Sequence, residues 1–220
     1  MNLARWLSLF VSLAVPAPGV AVPSDKAPMI RPQVDQRVEL FSIIFRLAGN
    51  PEYNMNQLAK YSTEIDNYFA NVKDHAAIAQ ARRLFHDRGI SFGAVMAMAI
   101  SVSPPPELKP LAPFGDGVPK SRWGGVDTEE FLRLVRAFYQ QSRFGEFFTA
   151  HAPMYRVAEE RFASTLGSVN LAWYPKFYGS KADLDYHLIL GMNNGGGNYG
   201  PHLVLPDGRT EFMRPLHRKL

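Results

Sequence analysis

Apolar side chains recur at helical spacing along most of this chain and change to alternation only towards its end. Val38, Phe41, Ile44, Phe45 and Ala48 share one face of a first helix, which Gly49-Asn50-Pro51 closes. Leu58, Tyr61, Ile65, Tyr68 and Phe69 repeat the pattern in a second. A third turns Ile78, Ala81, Leu84 and Phe85 inward, with Asp74 as its expected cap and Gly89 as its stop. Ser91 is placed to cap a fourth, Phe92 to Val102, whose apolar character nearly all round marks a central helix.

The proline-rich stretch Pro104 to Pro119 interrupts this order and predicts a long connection. Asp127-Thr-Glu-Glu130 then resembles a capping box, opening a helix with Phe131, Leu134, Val135, Phe138 and Tyr139 inward that is expected to run to about Phe148. Another follows from Pro153 to about Leu166, with Tyr155, Ala158, Phe162 and Leu166 on its inner side. From Ser168 the period falls to two, and Val169, Leu171 and Trp173 alternate with Asn170, Ala172 and Tyr174. Strands at 185–192 and 202–205 follow, joined by a glycine-rich stretch expected to form a β-hairpin. The pattern as a whole predicts one α+β domain over residues 36–208, a helical body of about six helices followed by a small antiparallel sheet.

Both ends of the chain stand apart from that domain. Arg5 precedes a short apolar run, Trp6 to Val15, which Pro16, Pro18 and Gly19 break. Gly19-Val20-Ala21 supplies small residues at a peptidase site, so residues 1–21 are expected to be a secretory signal peptide cleaved after Ala21. The run is too short for a membrane span, which needs about 20 residues, and no stable span is expected in the mature protein. Residues 22–35 form an extended leader. The sequence holds no cysteine, which excludes disulfides, thiol catalysis and lipidation at a cysteine. The destination implied is secreted or periplasmic.

Charge is unevenly placed. The net charge is +4, but Arg5 belongs to the signal peptide, and residues 209–220 carry Arg209, Arg214, Arg218 and Lys219 against Glu211. Residues 22–208 are therefore neutral, and no broad basic face is available for nucleic acid. The tail lacks clear periodicity and reads like sequence beyond a frameshift or a premature stop.

Few motifs carry chemistry. Gly195, Gly197 and Gly200 satisfy G-x-G-x-x-G, but Pro201 and the strand-like His202 to Leu205 follow where a dinucleotide fold needs a helix. The histidines (His75, His86, His151, His187, His202 and His217) form no H-E-x-x-H motif. Asp183, Asp185 and His187 would share one face of a strand, either as a polar strand end or as a metal site. Glu64 and Asp66 flank the inward-facing Ile65 and point elsewhere on their helix. Trp123, Trp173, Tyr174, Phe177 and Tyr178 are expected near the helix–sheet junction, as aromatic core or as the lining of a groove. Asn193, Asn194, Asn198 and Tyr199 fit a tight exposed loop, or an edge that pairs with an extended peptide, and both readings stand.

Several stretches, in order, resemble the bacterial domain-of-unknown-function family 4932. They are Val38 to Tyr53, Tyr61-x4-Asp66-x-Tyr68-Phe69, Arg88 to Phe92 with Ala94 to Met98, Phe138-Tyr139 with Phe144-x-Glu146-Phe147-Phe148, and Asn193 to Gly200. The resemblance spans about residues 36–208. It implies an exported zinc metallopeptidase of the gluzincin type, in which a helix carrying H-E-x-x-H follows the glycine hairpin. There the two histidines hold zinc and the glutamate activates water. This chain ends before such a helix, so no metal ligand or catalytic residue is carried over, and zinc is implied only for longer relatives. What is carried over is the hairpin (Asn193, Asn194, Gly195, Gly196, Gly197, Asn198 and Tyr199) as a wall of a substrate cleft.

The leading expectation is thus a non-catalytic exported protein truncated before its zinc helix. The alternative is a complete extracytoplasmic module that holds an extended peptide at its sheet edge. A third is an intact hydrolase centred on Asp183, Asp185 and His187.

Overall fold

The computed structural model describes residues 31–114, 120–124, 126, 128–168, 184–194, 197–207 and 210–216. Among these the architecture is α+β, a helical body with a small sheet at one side. Helix α1 (Gln36–Leu47) is its axis, and nearly all of its side chains are buried, not one face alone. Asp35 caps it by accepting from the Arg37 and Val38 amides. Three buried charges on α1 find partners. Arg37 pairs with Asp35 and donates to the Val102 carbonyl at 2.9 Å. Arg46 pairs with Asp66 at 2.6 Å and donates to the Tyr53 carbonyl at 2.9 Å. Glu39 is the third.

A 3₁₀ turn (Pro51–Asn54) leads to α2 (Ala59–Tyr68), and α3 (Ala76–Arg88) packs back on α1. The cap of α3 is His75, whose Nδ1 accepts from the Ala77 amide, in place of the expected Asp74. Gly89 ends α3 in the left-handed conformation (φ 59°), with its own amide donating to Phe85, as in the αL cap, and that of Ile90 to Leu84. Helix α4 (Gly93–Ile100) is fully enclosed, as its composition implies, but it is shorter than expected. Phe92 is its cap residue, and no side chain, that of Ser91 included, caps it. Of the proline-rich connection, 104–114 are described and include a bridge between Val102 and Pro110. A single turn, α5 (Lys120–Trp123), buries Trp123 against Phe131, with its indole N–H on the Ala94 carbonyl.

The long helix expected over 128–148 is two helices, α6 (Thr128–Gln141) and α7 (Phe144–Ala150). The break at Arg143 (φ 55°) has a packing cause. In one continuous helix Phe144 would lie about 240° round from Phe138. The break brings both onto Phe69, at centroid distances of 6.3 and 5.8 Å, and Phe147 joins them at 5.0 Å. Asp127 lies outside the described residues, and Glu130 pairs with Arg133 at 2.6 Å. Helix α8 (Ala152–Gly167) follows, close to its expected span.

The sheet corrects the expected topology. Its order is β1-β2-β4-β3, from β1 (Pro32–Gln33), β2 (Leu184–Leu190), β3 (His202–Val204) and β4 (Thr210–Leu216). β2 runs parallel to β1 and to β4, and only β3 and β4 are antiparallel. The sheet is therefore mixed and largely parallel. The glycine stretch joins β2 to β3 without making them a hairpin, because β4 lies between them. The hairpin is β3–β4, turned at Pro206-Asp207. The tail expected to be irregular supplies β4, which pairs with β2 from Leu184↔Thr210 to Leu190↔Leu216. Its residues do not alternate cleanly, which is why periodicity misses it. Pro215 lies beyond the reach of β3, so β4 has a neighbour on one side only there. The signal peptide, most of the leader, the strand expected at 169–174, and Trp173, Tyr174, Phe177 and Tyr178 lie outside the described residues.

Candidate functional site

Beneath the turn that leaves β2, α1 presents a fully buried carboxyl group. Glu39 Oε1 accepts from the Met192 amide at 2.7 Å, and Oε2 accepts from the Tyr61 hydroxyl at 2.8 Å. The Tyr61 and Tyr155 hydroxyls lie 2.8 Å apart. Burial pushes Glu39 up to about 7, against the lowering pull of Tyr61 and of the Met192 and Asn193 amides. Burial, followed by the charge of Glu39, raises Tyr61 well above the usual phenol range, and Tyr155 is raised for the same reasons. These groups make a hydrogen-bonded relay. With Glu39 ionised, Tyr61 donates to it and Tyr155 donates to Tyr61. With Glu39 protonated, the carboxyl can donate and the sequence reverses.

Tyr61 is also the point at which this relay meets an open cleft of about 690 Å³ between α2 and α8. The floor is apolar: Leu58, Met154, Val157, Ala158 and Met192. Lys60, Glu64, His151 and Arg161 contribute polar groups. His151 Nε2 lies 3.1 Å from Glu64, and its Nδ1 lies 2.7 Å from the Phe147 carbonyl. Both ring nitrogens thus face an oxygen of the protein. Lys60 reaches Glu64 at 3.9 Å, a long and exposed contact of little weight. The cleft lining thus includes Lys60, Arg161 and His151 with Glu64 as its one carboxylate, and Arg161 is exposed on α8.

The residues expected to wall a cleft are placed unevenly. Asn193 and Asn194 are buried against the helical body instead of forming an exposed loop. The Asn193 amide reaches the Ser42 carbonyl at 3.5 Å, and the side chain of Asn194 fills the space where Gly191 lacks a Cβ. Gly195 and Gly196 lie outside the described residues, Gly197 is half-buried beside Tyr199, and Asn198 is exposed. Tyr199 is half-buried with its ring 6.2 Å from Phe92. The stretch meets the cleft through Met192, its neighbour on the N-terminal side. Asp183 lies outside the described residues, so its grouping with Asp185 and His187 does too.

Sequence reasoning missed Glu39, Tyr155 and His151 as a set, because their partners are far apart in the chain. The signal that could have found Glu39 is a lone acid among Val38, Leu40 and Phe41, in a run from Val38 to Phe45 that is otherwise apolar but for Ser42. No family model, curated protein or solved structure matches the chain.

Proposed function

We propose that this is an exported binding protein whose cleft between α2 and α8 holds an amphipathic ligand bearing a carboxylate. The resemblance to metallopeptidase-like proteins favours an extended peptide, and the basic residues of the cleft favour its carboxyl end. No hydrolytic role is assigned to the described residues. The observation that carries the reading is the cleft itself, where an apolar floor is bordered by Lys60, His151 and Arg161 against Glu64 alone. An apolar body would lie on Met154, Val157 and Met192 while its carboxylate meets the basic groups, and Arg161 is suited to a two-pronged grip. Glu39 holds Tyr61 and the Met192 backbone by hydrogen bonds, which orders these two lining residues ahead of any ligand.

A second reading keeps the peptide but moves it to the sheet. β3 lies at the end of the strand order, and Val204 on it is 47 % exposed. Hydrogen exchange with an immobilised-peptide-selected ligand separates the two. The cleft reading predicts slowed exchange in 58–64 and 151–161, whereas protection confined to 202–204 would move the site to the edge. Export is tested on the product recovered outside the cytoplasm. Its intact mass is expected to lack residues 1–21, and an unprocessed mass would contradict that.

A further inference from the structure

The 3₁₀ turn and the glycine stretch meet at a second buried carboxyl group, Glu52, which is 2 % exposed. Its Oε1 accepts from the Asn50 amide at 3.1 Å and, at 3.4 Å, from the Phe92 N–H. Its Oε2 has no hydrogen-bond partner, and no basic side chain pairs with it among the described residues. Other buried oxygens in that condition include Asn50 Oδ1, Tyr53 OH and Tyr199 OH. Asn50, Glu52 and Tyr53 are neighbours in one turn, and Tyr199 packs on Phe92 (ring centroids 6.2 Å), whose amide is the one that donates to Glu52. Both tyrosines stay protonated. Burial first, then the Glu52 charge, raises Tyr53 well above the usual phenol range and pushes Tyr199 up to about 12.

A buried carboxyl oxygen left without a partner is costly, and folded proteins satisfy such groups by pairing them or by binding a metal. Neither tyrosine hydroxyl donates to Glu52 Oε2, although both feel its charge. The available atoms are a carboxylate oxygen, an amide oxygen and two neutral hydroxyls, all hard donors without nitrogen or sulfur. That set suits an alkali or alkaline-earth cation. We propose that Asn50, Glu52, Tyr53 and Tyr199 form a site for one hard cation (sodium, potassium or calcium) that fastens the glycine stretch to the 3₁₀ turn. The site is independent of whatever the cleft holds.

The test uses the full chain, stripped with a chelator and dialysed into tetramethylammonium chloride. NaCl, KCl or CaCl2 is then added at constant ionic strength while melting is followed. One of these ions is expected to raise Tm by about 5–10 °C at a hundredfold excess over its Kd. Glu52→Gln keeps the shape but not the charge, and its Tm is expected to ignore that ion. Should that variant fail to fold, Tyr199→Phe decides, with half-saturation expected at about tenfold higher concentration. Tyrosine-sensitised terbium emission that calcium displaces would assign the site to calcium, and a response to NaCl or KCl alone would assign it to an alkali ion. A Tm indifferent to all three salts, or a response unchanged in both variants, would overturn the proposal and leave these oxygens to water.

Discussion

Burial lifts the Glu39 carboxyl from 4.5 to about 7, so the folded chain keeps this proton where the unfolded chain has released it. The contribution to stability is fully present below about pH 4.5 and is lost as the pH rises towards 7, above which the loss is complete. That loss is about 3 kcal/mol. Glu39→Gln removes the ionisation while keeping an oxygen for Met192 or Tyr61. Denaturant unfolding between pH 5 and pH 8 is expected to show a decline in the wild type that is absent in the variant. Equal slopes in the two proteins would mean that Glu39 does not hold its proton. None of this was legible in a helical wheel. Periodicity marked Val38, Phe41, Ile44 and Phe45 as inward but could not show that Arg37, Glu39 and Arg46 are buried as well. Their partners are nonlocal: Asp66 lies 20 positions from Arg46, and Met192 lies 153 from Glu39.

At the scale of elements, the helices were the readable part, because each buries an apolar stripe whose spacing is fixed by the backbone. Their breaks were less so. Arg143 carries no turn signature, and only the shared packing of Phe138, Phe144 and Phe147 on Phe69 explains why α6 stops. Of the sheet, β2 and β3 were legible in the sequence, whereas β1, β4 and the pairing were not. The glycine stretch suggested a tight hairpin, whereas burial of Met192, Asn193 and Asn194 ties it to α1 and sends β3 past β4. This anchoring predicts a contrast between two glycines. A methyl group at Gly191 would overlap the Asn194 side chain, so Gly191→Ala is expected to cost about 1–3 kcal/mol. Gly200 has no atom within 4 Å of a Cβ, and Gly200→Ala is expected to stay within about 0.5 kcal/mol. Equal melting temperatures for the two variants would contradict the anchored loop.

At the scale of the molecule, the fold buries two acids, Glu39 and Glu52. Glu39 holds Met192 at the head of the glycine stretch, and Glu52 lies within the electrostatic reach of Tyr199 near its end. Met192, just before the stretch, is thereby tied to α1 and is also part of the cleft lining. Among the described residues no helix is long and apolar enough to cross a membrane. The central claim is that the cleft between α2 and α8 recognises a carboxylate beside an apolar surface. Its most direct test is calorimetric titration of one selected peptide, made with a free carboxyl end and with an amidated one, into the wild type and Arg161→Ala. The wild type is expected to bind the free acid about tenfold more tightly than the amide, and Arg161→Ala to lose most of that preference. Equal affinity for acid and amide in the wild type would contradict the account.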